Sequence, residues 1–197
     1  MSVRATSSGG PNFAYDLCVR KINDEQRASL DLSSWTVAFN GAEPVRARTL
    51  ESFASAFESC GFRREAFHPC YGLAESTLLV STGRVHGESI GCSFDAELLR
   101  ENRAVESNSD ERAAILVGCG AASEGKVLII DPALLEPCAD GAVGEVWVSG
   151  ESVARVETRR EPRAAADGGP HRARAGERLV PVLLAAEGPG REPVGVV

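Results

Sequence analysis

The chain has 197 residues, enough for one domain of ordinary size or slightly more. Hydrophobic residues make up 43% of it, which is typical of globular proteins and excludes disorder along the whole chain. The formal net charge of −7 argues against nucleic acid as a partner and fits a cytoplasmic protein. No apolar run is long enough to span a membrane, and the polar start lacks the apolar core of a signal peptide.

The cysteines show no spacing typical of a metal site. None belongs to a C-x-x-C pair, and none stands near a histidine at the spacing of zinc ligands. We therefore expect buried or scattered free thiols in a reducing compartment. The six are Cys18, Cys60, Cys70, Cys92, Cys119 and Cys138.

The start of the chain leads into a helix signal. Residues 1–10 are polar and predict a disordered start. Phe13, Leu17 and Ile22 then fall near one face at helical spacing, and Asn12 stands where an N-cap belongs. The pattern predicts a helix that packs through these three apolar side chains.

A strand and a strong amphipathic helix come next. After a short helical turn predicted at 24–29, the apolar run at 35–39 predicts a buried strand, which the residues at 40–44 end. The segment 46–60 then predicts a helix, with Gly61 in the C-terminal capping position. The apolar stripe of this helix consists of Leu50, Phe53, Ala54 and Phe57.

The order of these elements indicates the fold class. Residues 66–70 predict a second strand, 71–75 a loop, and 76–81 further extended structure. The predicted order of elements is therefore strand, loop, helix, strand, loop. That order predicts an α/β fold with an open sheet, flanking helices and loops at the carboxyl ends of the strands.

The second half has a different character. Residues 82–112 are polar and irregular, apart from a helix-like patch at 95–101, and predict a surface insertion within an α/β unit spanning 11–112. Strand signals at 126–131 and 144–149 follow, with a turn-rich segment between them. We expect 113–155 to be part of an antiparallel β subdomain.

The composition changes again in the tail, at 156–197. This segment has no aromatic residue and no lysine, and arginine, alanine, glycine, proline and glutamate dominate it. One interpretation is a divergent, disordered tail. Another is out-of-frame translation of GC-rich coding DNA, and the sequence leaves both open.

The loop at 71–75 combines three features of a nucleotide site. The ring of Tyr71 could stack on a flat heterocycle, and Gly72 lets backbone approach a ligand closely. The carboxylate of Glu75 could hold Mg²⁺ together with phosphate oxygens of a substrate. Taken alone, the pattern is weak, because a Tyr-Gly turn and a solvated glutamate are common.

The turn at 40–44 also follows a strand and precedes a helix. Its small residues would let backbone form one wall of a purine pocket. An ordinary β-to-α turn explains the same pattern, and on its own that simpler interpretation is favoured. The residues are Asn40, Gly41, Ala42, Glu43 and Pro44.

Taken in order, the two motifs resemble the adenylate-forming superfamily of acyl-CoA synthetases, luciferases and adenylation domains. The amino-acid sequence at 60–75 most resembles the fatty acyl-AMP ligase branch of this superfamily. That branch is also similar to the segment at 10–18, Gly10-Pro-Asn-Phe-Ala-Tyr-Asp-Leu-Cys. Leu-Val-Gly-Cys-Gly at 116–120 and Gly-Glu-Val-Trp-Val-Ser-Gly at 144–150 also match it. The resemblance covers about 8–155.

The resemblance implies a fold and a role for each motif residue. The chain would hold part of the large N-terminal domain of an adenylate-forming enzyme, followed by part of an antiparallel β subdomain. Tyr71 would stack on the adenine of ATP or AMP, and Glu75 would help hold Mg²⁺. The residues that would line the adenine pocket, the nucleotide and the acyl carbonyl are Asn40, Gly41, Ala42, Glu43, Pro44, Gly72, Leu73 and Ala74.

The resemblance also implies a reaction. A fatty acid and ATP would give acyl-AMP and pyrophosphate, and the acyl group would pass to an acyl carrier protein or polyketide synthase in polyketide or lipopeptide biosynthesis. The segment 82–112 stands where this branch carries an insertion thought to disfavour coenzyme A as the acceptor.

Several family motifs have no counterpart here. Ser7-Ser-Gly-Gly10 is too short for the phosphate loop and lacks its lysine, the ribose-binding Thr-Gly-Asp is missing, and Lys126 stands in a predicted strand rather than at the catalytic position. We therefore expect a truncated relative that is inactive alone. Two alternatives stay open: a second chain supplies the missing parts, or the protein is a non-catalytic module that binds AMP, acyl-adenylate or a partner.

Overall fold

The computed structural model describes residues 3–85, 91–108, 113–122, 126–154 and 180–182. The helices are α1 (Asn12–Lys21), α2 (Asp24–Ala28), α3 (Ala47–Phe57) and α4 (Ala96–Arg100). The first seven strands are β1 (Ser7–Gly9), β2 (Val37–Asn40), β3 (Phe67–Tyr71), β4 (Ser81–Thr82), β5 (Cys92–Asp95), β6 (Ala113–Leu116) and β7 (Ala121–Ala122). The last three are β8 (Lys126–Ile130), β9 (Glu145–Ser149) and β10 (Val180–Val182).

Five strands form an open sheet in the order β1-β2-β3-β4-β7, in which β1, β2 and β3 run parallel. The prediction that 1–10 is disordered is wrong for β1, because Ser7–Gly9 pairs with Val37–Phe39 and Thr6 accepts backbone hydrogen bonds from Thr36 and Val37. A short edge strand of small polar residues gains its stability from backbone pairing. It therefore carries no apolar pattern for a sequence argument to find.

The face that α1 presents to the core differs from the prediction. Phe13 and Leu17 are 64% and 45% exposed, whereas Tyr15 is buried and only Ile22 of the predicted set packs against the core. The ring of Tyr15 meets that of Phe53 edge to face, with centroids 4.9 Å apart. An edge-to-face contact stabilises the fold in addition to the burial of the large Tyr15 ring. The helix α1 is therefore oriented with Tyr15 toward the core and with Phe13 and Leu17 toward the surface.

The prediction for α3 is confirmed. Leu50, Phe53, Ala54 and Phe57 are all buried and form the centre of the main core. A short 3₁₀ turn, Glu58–Cys60, ends the helix, and Gly61 follows in the left-handed conformation with φ of 84°. A residue without Cβ adopts that conformation at low cost, as a C-terminal cap requires.

The insertion is more regular than predicted. β5 and β6 form an antiparallel pair, and α4 lies within the segment, as the helix-like patch at 95–101 predicted. The side chain of Asp95 caps α4 by accepting from the amides of Glu97 and Leu98. β6 pairs with β5, and β7 with β4, so the strands of the second sheet begin at β8.

The second sheet has the order β10-β9-β8 and is antiparallel, which agrees with the strands predicted near 126–131 and 144–149. Val146 and Val148 of β9 are buried against Val80. The predicted disordered tail at 156–197 lies outside the described residues except for β10, and at those three residues the prediction is wrong. Among the described helices, none is long and apolar enough to cross a membrane.

Candidate nucleotide-binding site

The two motifs meet at one edge of the open sheet. β2 and β3 are parallel, with Asn40 opposite Pro69, so their carboxyl ends coincide. The thiol of Cys70 donates to the carbonyl of Asn40 at 3.3 Å. A Cβ on Gly41 would lie 2.6 Å from Cys70 Sγ and 2.8 Å from its carbonyl oxygen, so only glycine fits. The sheet thus brings together two motifs that are 30 residues apart in sequence.

The first loop, residues 41–46, is held by the side chain of Asn12. Its Nδ2 donates to the carbonyl of Pro44 at 2.7 Å, and its Oδ1 accepts from the amide of Arg46 at 3.1 Å and from Asn40 Nδ2 at 3.3 Å. The prediction that Asn12 is an N-cap is wrong. Pro11 precedes the helix, and the buried carboxamide of Asn12 points to the loop instead.

The carboxylate of Glu43 faces α1. Its Oε1 accepts from the amide of Phe13 at 3.3 Å, in a first turn that has no acidic residue of its own. A carboxylate at this end of a helix is favourable because the unpaired amides carry partial positive charge. Glu43 therefore anchors the loop, and Ala42 beside it is exposed and left-handed, with φ of 67°.

The second loop, residues 72–79, is compact rather than extended. The prediction of extended structure at 76–81 is wrong for 76–78, because a 3₁₀ turn at Ala74–Ser76 leads into left-handed Thr77 and Leu78, with φ of 55° and 74°. It is confirmed at Ser81, where β4 begins. Backbone bonds from Val80 to Tyr71 at 2.9 Å and from Leu78 to Leu73 at 3.1 Å close the loop.

Tyr71 stands where the second loop begins. Its ring is half-buried and packs against both the main core and the small valine cluster of the second sheet. Its buried hydroxyl has no hydrogen-bond partner among the described residues. Burial, and then the neighbouring thiol of Cys119, raise the pKa of Tyr71 to about 12. The ring is therefore neutral at physiological pH and fixed by its packing, which suits a stacking platform.

Glu75 lies on the exposed surface of the second loop. Its carbonyl accepts from the amide of Ala154 at 2.6 Å, and Thr77 Oγ1 donates to the carbonyl of Ser152 at 2.7 Å, so the loop is tied to the segment after β9. Within the described ranges, no three potential metal ligands come together. A lone exposed carboxylate nevertheless fits Mg²⁺, because that ion takes most of its ligands from phosphate oxygens and water.

A cleft of about 580 Å³ lies elsewhere on the surface. It is lined by the C-terminal half of α3 and by residues 58–65, which precede β3. It is therefore at the amino end of β3, opposite to the edge where the two motifs meet. Its lining residues are Ala54, Ser55, Glu58, Gly61, Phe62, Arg63, Arg64 and Glu65.

Comparison with known protein families covers the segment that holds both loops. Residues 3–156 match the model of the AMP-binding enzyme family. The chain belongs to this family. The match includes both loops and ends two residues beyond the last residue of the described segment after β9.

Relatives of the chain within the AMP-binding family include ligases that act on fatty acids. The chain is 50% identical over 156 residues to the medium-chain-fatty-acid acyl-carrier-protein ligase JamA of Moorena producens, covering 77% of this chain and 26% of that protein. It is 46% identical over 153 residues to the ligase TtuA of Teredinibacter turnerae, which has the same substrate and carrier in its name, covering 77% and 24%. The chain thus spans about a quarter of the length of these relatives.

Solved structures agree with the fold. The fatty acyl-adenylate ligase of Legionella pneumophila, solved in complex with acyl adenylate and pyrophosphate, is 48% identical, with a TM-score of 0.71 over 77% of this chain and 27% of that one. The predicted fold class, part of an adenylate-forming enzyme with an open sheet and flanking helices, is therefore confirmed.

Sequence reasoning missed two residues that shape the site. Asn12 and Thr77 both act through hydrogen bonds to segments at least 28 residues away. An asparagine at a helix start is typical of a cap, and a threonine in an apolar run is typical of a strand. Neither signal could reveal the distant partner.

Proposed function

We propose that this chain carries the adenine- and acyl-binding part of a fatty acyl-AMP ligase. Such an enzyme joins a fatty acid to the α-phosphorus of ATP and releases pyrophosphate. The observation that carries the proposal is the parallel register of β2 and β3, which brings the first and second loops to one edge of the sheet. Ligands of open α/β sheets bind at this edge.

Each loop has its own part in the proposed complex. The ring of Tyr71 stacks on the adenine. The backbone of 41–44 forms the wall of the purine pocket, because the side chain of Asn40 is buried and that of Glu43 is bonded to the amide of Phe13. The backbone of 72–74 runs along the nucleotide toward the acyl carbonyl. The small side chain of Ala74 allows that close approach, and the absence of one at Gly72 makes room for the carbonyl of Leu78 in the same loop.

Glu75 is the proposed ligand for Mg²⁺. Its side chain is exposed beside the loop that would follow the nucleotide, so it is free to meet a phosphate-bound ion. The ion would neutralise charge on the phosphates as pyrophosphate leaves. The carboxylate itself would fix the position of the triphosphate relative to the acyl carbonyl.

The names of JamA and TtuA point to an acceptor as well as a substrate. We extend both to this chain: a medium-chain fatty acid as the substrate and an acyl carrier protein as the acceptor, in the cytoplasm and within polyketide or lipopeptide biosynthesis. The chain has only two lysines, Lys21 in α1 and Lys126 in β8. Neither belongs to the two loops, which therefore have no lysine to balance the charge of a leaving pyrophosphate. We therefore propose that the chain by itself binds the adenylate without turnover.

Titration of the chain with AMP and with a non-hydrolysable acyl-sulfamoyl adenosine tests the proposal. We expect saturable binding in the micromolar to millimolar range, and loss of at least about tenfold in affinity for Tyr71→Leu, which removes the stacking surface. Tyr71→Phe is the matched control, because it keeps the ring and should bind like the parent chain. Equal affinity for the Leu variant, or nanomolar affinity for ATP, would contradict the proposal.

Glu75→Gln tests the metal assignment. Mg²⁺ should strengthen ATP binding to the parent chain and have little effect on this variant, whereas AMP binding should stay the same in both. Glu101→Gln, another exposed glutamate on the surface insertion, should keep the full Mg²⁺ effect. Release of pyrophosphate from ATP and a fatty acid, measured alongside, separates a binding module from an active ligase.

A further inference from the structure

The side chain of Asn12 joins three parts of the molecule. Its carboxamide bonds to Pro44, Arg46 and Asn40, which lie 32, 34 and 28 residues further along the chain. None of these bonds goes to α1, the helix that Asn12 begins. An asparagine that is fully buried at a helix start therefore acts on another segment.

The geometry uses the particular chemistry of an amide. Nδ2 donates to the carbonyl of Pro44, while Oδ1 accepts from the amide of Arg46 and from Asn40 Nδ2. Only a side chain with both a donor and an acceptor can satisfy a carbonyl and an amide at once. Both Asn12 and Asn40 have 0% exposure, so water cannot replace either bond.

We infer that Asn12 is a positioning residue for the purine pocket. It sets the conformation of the first loop by holding the loop at Pro44 and at Arg46, on either side of Val45. Gly41 is fixed separately against Cys70, so the backbone between these points has little freedom. This inference rests on the proposed function in one respect only, namely that adenine binds against the backbone of the first loop.

If Asn12 had a purely structural role, removing its side chain would disturb the packing of α1. That packing is supplied by other groups, because Tyr15 contacts Phe53 and its hydroxyl donates to the carbonyl of Phe39 at 2.8 Å. Removing the carboxamide should therefore release the first loop and leave α1 in place.

Hydrogen exchange of single amides tests this directly. In Asn12→Ala we expect the amide of Arg46 to exchange at least about tenfold faster, with little change in α3 or in β3. Asn23→Ala is the matched control, because Asn23 caps α2 by accepting from the amide of Gln26 at 2.9 Å. There the amide of Gln26 should exchange faster while that of Arg46 stays slow. An unchanged Arg46 amide in Asn12→Ala would overturn the inference.

The affinity for AMP provides a second test of the inference. Asn12→Ala, kept well below its unfolding temperature, should bind AMP about tenfold more weakly, equivalent to about 1.4 kcal/mol, and should lose part of the preference for AMP over CMP. Asn23→Ala should change neither. If Asn12→Ala binds AMP as tightly as the parent chain despite faster loop exchange, the positioning role is wrong.

A variant of equal volume covers the case in which Asn12→Ala fails to fold. Asn12→Asp keeps an acceptor for the amide of Arg46 but places a carboxylate oxygen against the carbonyl of Pro44. We expect slow exchange at Arg46 with weaker AMP binding, and unchanged binding would overturn the inference. If the parent chain binds neither AMP nor the acyl-sulfamoyl analogue, the proposed function fails, and the exchange experiment still decides the role of Asn12 in the loop.

Discussion

The two loops that build the candidate site are held by different kinds of interaction. Side chains anchor the first loop: Asn12 bonds to its backbone, and Glu43 reaches the start of α1. The second loop is closed mainly by its own backbone, with Leu78 bonded to Leu73 and Val80 to Tyr71. The second loop therefore depends mainly on which backbone conformations are allowed. The first loop depends on its anchoring side chains in addition to the backbone constraints at Gly41 and Ala42.

This difference predicts which substitutions each loop tolerates. Changes of polar side chains should loosen the first loop, because they leave buried carbonyl and amide groups without partners. In the second loop the sensitive positions are those where a Cβ meets backbone, or where φ is positive.

Gly72→Ala should have the largest effect. A Cβ at this position would overlap the carbonyl of Leu78, which is backbone and cannot turn aside. We expect the free energy of unfolding to fall by about 3 kcal/mol, measured by urea denaturation. Gly118→Ala is the matched control, since a Cβ there has nothing within 4 Å and should change stability by less than about 0.5 kcal/mol. Equal effects would mean that the second loop opens readily in solution.

Alkaline pH should lower the stability of the fold around Tyr71 and Cys119. Burial raises the pKa of Cys119 to about 11, and that of Tyr71 to about 12. A group that holds its proton more tightly when folded stabilises the protein fully below its unfolded pKa, about 8.5 for a thiol. That stabilisation is lost as pH rises through the folded value. The loss by pH 11 should be on the order of 2–3 kcal/mol from Cys119.

Urea unfolding between pH 8 and pH 11 measures this loss. Cys119→Ala should flatten the pH dependence, whereas Cys92→Ala, which removes an exposed thiol, should not. If both cysteine variants lose stability as steeply as the parent chain, burial of the Cys119 thiol is not the cause.

Strong local patterns predicted the centre of the fold. The apolar stripe of α3 is confirmed because four side chains at helical spacing specify the buried face without help from distant residues. The two loops could also be assigned to one edge, because parallel strands joined by a helix place their carboxyl ends together. These features depend only on periodicity and connectivity.

Features that depend on distant partners could not be predicted. Asn12 lies at a helix start, yet its bonds reach Pro44 and Arg46, and no local pattern records them. The apolar run 76–81 favours a strand, but left-handed Thr77 turns the chain so that its hydroxyl reaches Ser152. Tertiary hydrogen bonds override a local preference at both places.

Ala42→Gly should have the smallest effect, and it should be stabilising. Ala42 has φ of 67°, a conformation that costs a residue with a Cβ about 1 kcal/mol. Glycine removes that cost but gives the unfolded chain more freedom, so we expect a net gain of about 0.5 kcal/mol in unfolding free energy. Ala139→Gly is the matched control: Ala139 is also exposed in a turn and is not left-handed, so it should lose about 0.5 kcal/mol.

The difference of about 1 kcal/mol between these two variants, measured by urea denaturation, is a measure of the strain that the first loop carries. That strain persists only if the bonds of Asn12 to Asn40 and to Pro44 hold the chain on both sides of Ala42. In an Asn12→Ala background the loop can relax, so Ala42→Gly should lose most of its benefit. A benefit that stays the same in that background would mean that Gly41, packed against Cys70, imposes the left-handed turn by itself.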